Sequence, residues 1–301
     1  MSRSVLVLGG GPDAERDVSI RSAQAVAAAL EQARRRAHLE IVDRPGAEAI
    51  ARLPGDVIFP ALHGAFGEGG PLQDVMERDG RPFVGSRAST ARLAMDKVAT
   101  KLAAARCGVA TPEAAIVRPG DEAVGIEAPL VIKPVHEGSS VGLSICRSPE
   151  DASRALRSLD PARVWTAERM IAGRELTVGL LARASGELTP LPMIEVVPAA
   201  GVYDFEAKYG RGDTRYDVDP GVPASAAREA ADSALRVAAS LGVRHVARVD
   251  FMLDAAGVLW FLEINTMPGF TETSLLPKAA AAVGLSLADV CVSLVDLAAG
   301  G

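Results

Sequence analysis

Apolar runs alternate with amphipathic stretches over the first ninety residues of the chain. Strand-like runs occur in SVLVLGG, DVIFPALH and PFVGS, and helical periodicity occurs at about residues 21–36 and in PLQDVMER. Strands that alternate with helices are typical of a parallel sheet with helices on its faces. We therefore predict a small parallel α/β unit at the beginning of the chain.

The next amphipathic stretch, TARLAMDKVATKLAAARCG, predicts one helix with Ser89 as its N-cap and Gly108 at its end. Beyond Thr111 the pattern changes to strand-like segments separated by Gly and Pro: APLVIKPV, GLSIC, RVWTAERMI, ELTVGLLAR and LTPLPMIEVV. Such short strands indicate antiparallel sheet. One helix is predicted near residues 149–159, and an Ala-rich helix at about 224–241.

Two strands near the end of the chain form a predicted hairpin around the turn DAAG at 254–257. If Leu253 pairs with Val258, the further pairs are Arg248–Glu263 and Asp250–Phe261. Because opposed residues share a face and side chains alternate along a strand, one face is then apolar. That face carries Ala247, Val249, Phe251 and Leu253 against Val258, Trp260, Leu262 and Ile264. The other face carries Arg248, Asp250, Glu263 and Asn265, and this clean separation favours the stated register.

The polar face of this hairpin is a candidate metal and phosphate site. Three oxygen-bearing side chains at one end of a sheet suit a hard cation such as Mg²⁺, which usually accompanies nucleotide phosphates. Arg248 could hold charge on a transferred phosphoryl group or a tetrahedral adduct. A solvated sheet face with an Arg–Glu cross-strand pair is the alternative. The turn at 266–269, TMPG, frees backbone N–H groups and favours a site.

A small-residue loop follows Lys133 in LVIKPVHEGSSVGLSIC. A lysine beside a loop with free amides suits a triphosphate, because bulky side chains would keep the backbone away from it. The loop is not a Walker A motif, since no G-x-x-x-x-G-K-[ST] occurs in the chain. An ordinary Gly-Ser hairpin remains the alternative.

The glycines after the first strand, in GGGPDAER, formally fit a dinucleotide-binding fingerprint. Asp13 and Glu15 would repel a pyrophosphate there, and the expected acidic residue about 20 positions further on is missing. An acidic helix start would instead attract an ammonium group, which indicates an amino-acid amine held by Glu15. The alternative is a helix whose acidic first turn only complements the helix dipole.

Composition and charge exclude several classes of protein. The chain has 301 residues, 49% of them hydrophobic, which indicates two or three domains. The formal charge is −6 and basic residues form no run, so we expect no nucleic-acid partner. The three scattered cysteines favour reduced thiols in a cytoplasm. No apolar stretch approaches the roughly 20 residues of a membrane helix, and the N-terminal sequence does not resemble a secretory signal.

Taken together, several motifs resemble the D-alanine–D-alanine ligases of the ATP-grasp superfamily. They are GGPDAERDVS, ALHGAFGEGGPLQ, MDK, KPVHEGSSVG, YDFEAKY, RVDFML and EINTMPGFTETSLLPKAA, in the family's order and spacing over residues 9–280. The resemblance implies an N-terminal parallel α/β substrate domain (1–90), a central ATP-grasp domain (91–171) and a C-terminal ATP-grasp domain with the metal site and a lid (172–301). The implied fold class is α/β and α+β.

The resemblance also implies a reaction, in which ATP phosphorylates the carboxylate of one D-alanine and the amine of a second attacks the acyl phosphate. The dipeptide would serve peptidoglycan synthesis in the cytoplasm, and a homodimer is implied. The expected cofactors are ATP and two Mg²⁺ ions, with Mn²⁺ as an alternative metal.

The resemblance assigns residues to each role. Those expected at the reaction centre are Glu15, Ser139, Tyr209, Arg248 and the Gly269 amide. The second substrate is expected at His63, Ser274 and Leu275, and ATP at Lys97, Lys133, Glu168, Glu175 and Lys208. The metal ligands are expected to be Asp250, Glu263 and Asn265.

Residues 203–216 resemble the family's lid, which keeps water from the acyl phosphate. Tyr209 favours D-alanine as the second substrate, because relatives that use D-lactate carry a different residue there. His136 and Asp74 depart from the common pattern, but neither removes a group that the mechanism needs. A structural histidine at a strand end is the alternative interpretation of His63.

Three other functions stay open at this point. A related ATP-grasp ligase could act on a different amino acid in a small-molecule pathway, which activity with a panel of D-amino acids would reveal. A nucleotide-binding regulator without turnover is disfavoured by the complete set of metal-ligand candidates. A dehydrogenase is the least favoured, and binding of a nicotinamide cofactor would be its test.

Overall fold

The computed structural model describes residues 3–198 and 214–300. The chain begins with a parallel sheet of order β2-β1-β3. Its strands are β1 (Val5–Gly10), β2 (Ala37–Val42) and β3 (Val57–Pro60). The first helices are α1 (Arg16–Gln32), α2 (Ala47–Ala51), α3 (Gly64–Glu68) and α4 (Pro71–Asp79). The predicted parallel α/β unit is confirmed.

Three details of this first unit differ from the prediction, and one of them is that PFVGS is not a strand but makes a single isolated bridge from Phe83 to Ile58. The helix α1 begins at Arg16 and ends at Gln32, so it lies earlier than the predicted range of 21–36. The edge strand β2 was not predicted, because its sequence AHLEIV is only partly buried and carries polar residues. The central strand β1 is buried at every position, which is why its apolar run was easy to recognise.

The single helix predicted from Ser89 to Gly108 is wrong, because two helices occupy this region. They are α5 (Ala88–Met95) and α6 (Lys97–Arg106). Asp96 between them has an extended backbone, with φ −80° and ψ 104°, and its side chain accepts hydrogen bonds from the amides of Val98 and Ala99. Asp96 is therefore the N-cap of α6, whereas Ser89 lies inside the first turn of α5. This break puts Lys97 at the beginning of a new helix.

The middle of the chain forms an antiparallel sheet of order β4-β7-β5-β6. Its elements are β4 (Ala114–Val117), β5 (Leu130–Pro134), β6 (Ser144–Cys146), α7 (Pro149–Arg157) and β7 (Trp165–Arg169). This sheet has an apolar core of its own, in which Ile132, Leu156 and Trp165 are buried. The predicted antiparallel pairing is confirmed.

A larger antiparallel sheet follows, with order β11-β10-β8-β12-β13 and with β9 paired to β8. Its strands are β8 (Gly173–Ala182), β9 (Leu188–Pro190), β10 (Ile194–Val197), β11 (Arg215–Val218), β12 (Val246–Asp254) and β13 (Leu259–Asn265). The remaining helices are α8 (Ala224–Leu241), α9 (Leu275–Ala281) and α10 (Leu287–Gly300). No helix within residues 3–198 or 214–300 combines the length and apolarity needed to cross a bilayer.

The predicted register of the β12–β13 hairpin is wrong by one residue at the turn, and a bulge in β13 adds a second residue to the shift. The observed pairs are Arg248–Asn265, Val249–Ile264, Asp250–Glu263, Phe251–Phe261, Met252–Trp260 and Leu253–Leu259, with the register shift after Asp250. Leu262 is the extra residue, and a bulge changes which face the following residues take. Because the pairing is already shifted by one residue at the turn, Leu259 and Phe261 enter the core instead of Trp260 and Leu262.

The polar face that the prediction proposed is nevertheless present. Arg248 opposite Asn265 and Asp250 opposite Glu263 are neighbouring pairs on one face, because residues two apart on a strand point the same way. The bulge adds to this: Leu262 and Glu263, which are consecutive, both line the same cavity.

Candidate active site

A cavity of about 650 Å³ lies where α1, the Gly-Ser loop, the β12–β13 hairpin and α9 meet. Its lining includes groups from the beginning, the middle and the end of the chain: Glu15, His63, Lys97, Ser139, Arg248, Glu263, Asn265, Gly269, Ser274 and Leu275. These predicted site residues, which the sequence separates widely, are thus brought around one space.

Arg248, on the wall of this cavity, forms a two-pronged ion pair with Asp250. Arg248 Nε donates to Asp250 Oδ1 at 2.9 Å, and Arg248 Nη2 donates to Oδ2 at 2.8 Å. Thr177 Oγ1 on β8 donates to Asp250 Oδ1 at 2.6 Å. The two Arg248–Asp250 contacts and the Thr177 hydroxyl fix both side chains, so the planar guanidinium group of Arg248 faces the cavity in one orientation.

Glu263 and Asn265 supply further oxygens beside Asp250. Glu263 Oε2 lies 3.6 Å from Lys97 Nζ, and Asn265 Oδ1 accepts the Met267 amide at 2.8 Å. In the described part of the chain, no three His, Cys, Asp or Glu side chains are close enough to hold a metal ion. A cation here would depend on the amide oxygen of Asn265 as well as the two carboxylates. That oxygen-only donor set fits a hard cation such as Mg²⁺.

A second cavity of about 210 Å³ lies between the four-stranded sheet and the larger sheet. Apolar side chains form much of its wall: Val131, Ile145, Met170, Ile171, Met252 and Leu262. The charged residues Lys97 and Glu263 line both cavities, so the two spaces meet at these side chains. Lys133, Glu168 and Glu175 also line the smaller cavity. A narrow apolar slot with a few polar groups suits a flat heterocycle.

Glu168 is held by two lysines, one of which the sequence did not reveal. Its Oε2 lies 3.0 Å from Lys133 Nζ and 3.1 Å from Lys101 Nζ. Burial lowers the pKa of Lys101 to about 8, and the charge of Glu168 opposes that shift. Lys101 lies on α6 one turn after Lys97, and the sequence alone gave no sign that Lys101 is buried.

The Gly-Ser loop reaches the beginning of α1. Ser139 Oγ donates a short hydrogen bond to Glu15 Oε1, and a Cβ on Gly138 would lie 3.2 Å from Glu15 Oε2. Ser139 and Ser140 have φ of 50° and 59°, which is uncommon for residues with a side chain. Such a contact across the molecule is not what a plain hairpin loop makes, and Glu15 is only 5% exposed.

His63 and Glu68 form the floor of the cavity near α1. His63 Nε2 lies 3.1 Å from Ser22 Oγ, and the His63 amide donates to Ser19 Oγ at 2.9 Å. Burial is the main cause that lowers the pKa of His63 to about 4, with the charge of Arg248 adding to it. His63 is therefore neutral at pH 7.

Glu68 is a cavity residue that the sequence analysis missed. Burial, followed by the nearby charge of Glu15, raises the pKa of Glu68 well above its ordinary value, while a hydrogen bond from the Gly64 amide opposes the rise. Its Oε2 has no hydrogen-bond partner among the described residues. The short helix α3 brings it there, and the motif HGAFGE was a signal that could have identified it.

The segment before α9 is tightly packed. Ser274 Oγ accepts the Thr271 amide at 3.1 Å, and a Cβ on Gly269 would lie 2.6 Å from that oxygen. A residue without a Cβ is therefore needed at position 269, so close to Ser274. Leu275, the first residue of α9, is 9% exposed and lies beside them.

Two predicted residues, Lys208 and Tyr209, lie outside the described residues, as does most of the segment predicted to be a lid. Tyr216 at its end is described: it lines the larger cavity, with Lys278 Nζ 5.6 Å from its ring centre.

Comparison with known proteins gives consistent matches over the whole chain. The profile described as "D-ala D-ala ligase C-terminus" matches residues 116–296. The D-alanine–D-alanine ligase of Syntrophotalea carbinolica is 42% identical, over 94% of this chain and 92% of that protein. The ligase of the same description from Desulforudis audaxviator is 40% identical over 99% of both chains.

Among solved structures, the VanG D-Ala:D-Ser ligase of Enterococcus faecalis has a similar fold. The TM-score is 0.83 at 24% identity, over 99% of this chain and 100% of that chain. At that identity the likeness extends to the fold alone, and it agrees with the mixed α/β class predicted from the sequence.

Proposed function

The chain belongs to the D-alanine–D-alanine ligase family, and on that basis we propose that it joins two D-alanine molecules at the expense of ATP. The observation that carries this proposal is that Glu15, bonded to Ser139, and Arg248, held by Asp250, line the same larger cavity. One pair suits an ammonium group, and the other suits developing negative charge.

The first half of the reaction activates a carboxylate. A carboxylate oxygen of the first D-alanine attacks the γ-phosphorus of ATP, the bond to the β-phosphate oxygen breaks, and ADP leaves with that electron pair. Glu15 binds the ammonium group of this substrate, and Ser139 holds the Glu15 carboxylate in place. The low exposure of Glu15 strengthens this attraction, because few water molecules compete there.

The nucleotide is proposed to lie with its base in the smaller cavity and its phosphates towards the larger one. Lys97 and Lys133 contact the phosphates, and Glu168 and Glu175 face the adenine and ribose side. Lys208, which lies outside the described residues, is proposed as a further contact to ATP. Lys97 and Glu263 line both cavities, which supports a ligand that extends from one to the other.

Asp250, Glu263 and Asn265 are the proposed ligands of two Mg²⁺ ions, for which Mn²⁺ is the alternative. When bound, these ions supply positive charge beside the phosphates and so favour phosphoryl transfer. Thr177 and Arg248 hold Asp250 in one rotamer, which fixes the direction of its remaining lone pairs.

The second half of the reaction forms the peptide bond. The uncharged amine of the second D-alanine attacks the acyl carbon, the tetrahedral adduct breaks its bond to the phosphate oxygen, and the nitrogen gives its proton to the departing phosphate. Ser274 and Leu275 bind the second carboxylate, and neutral His63 lies near this substrate. The Gly269 amide and Arg248 stabilise the oxyanion. Tyr209, which lies outside the described residues, is proposed to favour D-alanine over a hydroxy acid as the second substrate.

The remaining expectations are proposals of the same kind. We propose three domains with the bounds 1–90, 91–171 and 172–301, a homodimer, and a cytoplasmic enzyme whose product enters peptidoglycan. The separate apolar core of the middle sheet supports the central domain.

A coupled assay of ADP release with D-alanine, ATP and Mg²⁺ tests the proposal, followed by identification of the product by mass spectrometry. We expect D-alanyl-D-alanine and one ADP per peptide bond. Removing divalent cations with a chelator should abolish ADP release, and added Mg²⁺ should restore it. If turnover requires another D-amino acid and D-alanine gives none, the chain is a ligase of different specificity and the proposal is wrong.

A further inference from the structure

Lys101 lies behind the wall of the smaller cavity and does not line it. Its ammonium group has three acceptors around it: Glu168 Oε2 at 3.1 Å, Thr111 Oγ1 at 2.9 Å and Pro112 O at 3.4 Å. Its side chain is 7% exposed. An ammonium group has three N–H donors, so each donor of Lys101 has an acceptor and the group is fixed in one place.

Glu168, which Lys101 contacts, lies on the cavity wall, and its two carboxylate oxygens differ in their contacts. Both lysine contacts are to Oε2, whereas Oε1 is buried and has no hydrogen-bond partner within the described residues. A buried carboxylate oxygen without a donor is costly. Since Glu168 lines the apolar slot, an N–H group of a ligand in that slot could supply the missing donor.

Lys133 contacts Glu168 from the cavity side, so a phosphate bound in the cavity would compete for its ammonium group. It lines the cavity, and its ammonium group is 3.0 Å from Glu168 Oε2. If Lys133 turns towards a phosphate, Glu168 loses one of its two cations in a site where its side chain is only 4% exposed. Lys101 stays in place, because its other acceptors belong to the segment 111–112 and not to the ligand.

From this arrangement we propose that Lys101 is a positioning residue for adenine recognition. It holds the Glu168 carboxylate through Oε2, which leaves Oε1 to accept the exocyclic amine of the base, and it releases Lys133 for the phosphates. This inference rests on the proposed function in placing ATP in the slot. It predicts discrimination between bases, since a purine with a carbonyl oxygen at that position would oppose the Glu168 oxygen.

Equilibrium binding of ATP and of inosine triphosphate, which has a carbonyl in place of the amine, tests the inference without turnover. In Lys101→Met we expect the Kd for ATP to rise about tenfold, as is typical when a charged hydrogen bond is lost. The Kd for inosine triphosphate should change by less than about twofold, so the preference for ATP falls. The KM for D-alanine should stay at its original value, which a general structural defect would not allow.

The double variant Lys101→Met/Glu168→Gln shows whether Lys101 acts through Glu168. If it does, adding Lys101→Met to Glu168→Gln should change the Kd for ATP by less than about twofold. A full tenfold loss in that background would overturn the inference, and so would an unchanged ATP preference in Lys101→Met alone.

Thr111→Val provides a second variant in case Lys101→Met does not fold, which thermal unfolding will reveal. It removes one acceptor of the Lys101 ammonium group at nearly constant volume, and the Kd for ATP should rise about two- to threefold. An unchanged Kd would overturn the inference. If the original chain prefers ATP over inosine triphosphate but forms no dipeptide, the proposed ligase function fails while the role of Lys101 is still decided by these variants.

Discussion

Replacing Arg248 by lysine separates the charge of this residue from its shape. The guanidinium makes two parallel contacts to Asp250, at 2.9 Å and 2.8 Å. Lysine keeps the positive charge but is a point donor, so it can replace one of these contacts and cannot hold the planar orientation. In the proposed reaction the same planar group faces the oxyanion.

The expected loss follows from one charge-assisted hydrogen bond. Such a bond contributes about 1.5–3 kcal/mol, and a change of about 1.4 kcal/mol is a factor of ten. We therefore expect kcat/KM for D-alanine, measured by coupled ADP release, to fall roughly 10- to 100-fold in Arg248→Lys. Arg248→Ala should lose more, because Asp250 then keeps no cation.

Arg174 offers a matched control on the same sheet. It forks onto Glu195 at 2.9 Å and 2.7 Å and lines neither cavity. Arg174→Lys should lower the unfolding temperature by an amount similar to Arg248→Lys while leaving kcat/KM within about twofold of the original. If Arg248→Lys and Arg248→Ala retain full activity, or if Arg174→Lys loses as much, the assignment of Arg248 to the reaction centre is wrong.

Three further predictions concern other parts of the site. Since burial holds the pKa of His63 at about 4, the unfolded chain binds a proton between pH 6.5 and 4 that the native state does not. Between pH 6.5 and pH 4 the free energy of unfolding, measured by urea titration, should therefore fall by up to about 3 kcal/mol more in the original chain than in His63→Gln. An equal fall in the two proteins would contradict this. Gly269→Ala puts a Cβ 2.6 Å from Ser274 Oγ and should reduce dipeptide formation while the affinity for ATP stays unchanged. The control is Gly46→Ala, whose Cβ meets no atom within 4 Å and which should change neither dipeptide formation nor ATP affinity. Asp96→Ala removes the two N-cap hydrogen bonds and should cost about 1 kcal/mol of unfolding free energy, so an unchanged urea midpoint would show that the cap contributes nothing.

The sequence predicted the parallel first sheet, the antiparallel sheets that follow and the polar face of the β12–β13 hairpin. The first sheet was predictable because strand and helix signals alternate and β1 is one apolar run, and the later strands because short apolar segments lie between Gly and Pro. The register failed first at the turn, where Leu253 pairs with Leu259 and not with Val258, and again at the bulge at Leu262. Phe261 donates its amide to Ala110 O at 2.8 Å, a partner far away in sequence, so nothing local could reveal the irregularity.

The break between α5 and α6 was missed for a different reason. Apolar and Ala residues continue through Asp96, so the helical period gives no stop, although Asp followed by Lys97 and Val98 is an acceptable N-cap sequence. Glu68 and Lys101 were missed because single charged residues are normally exposed. Their burial depends on which distant groups surround them, and that becomes visible only in the folded chain.

The last helix, α10, completes an apolar cluster that β1 and α1 begin. Val290, Leu294 and Val295 pack in the same core as Val5 and Leu30. During synthesis, β1 and α1 are made well before α10, so this cluster cannot close until α10 has left the ribosome. We expect nascent chains released before α10 to expose apolar surface and to depend on chaperones, even though every residue of the larger cavity would already have been made.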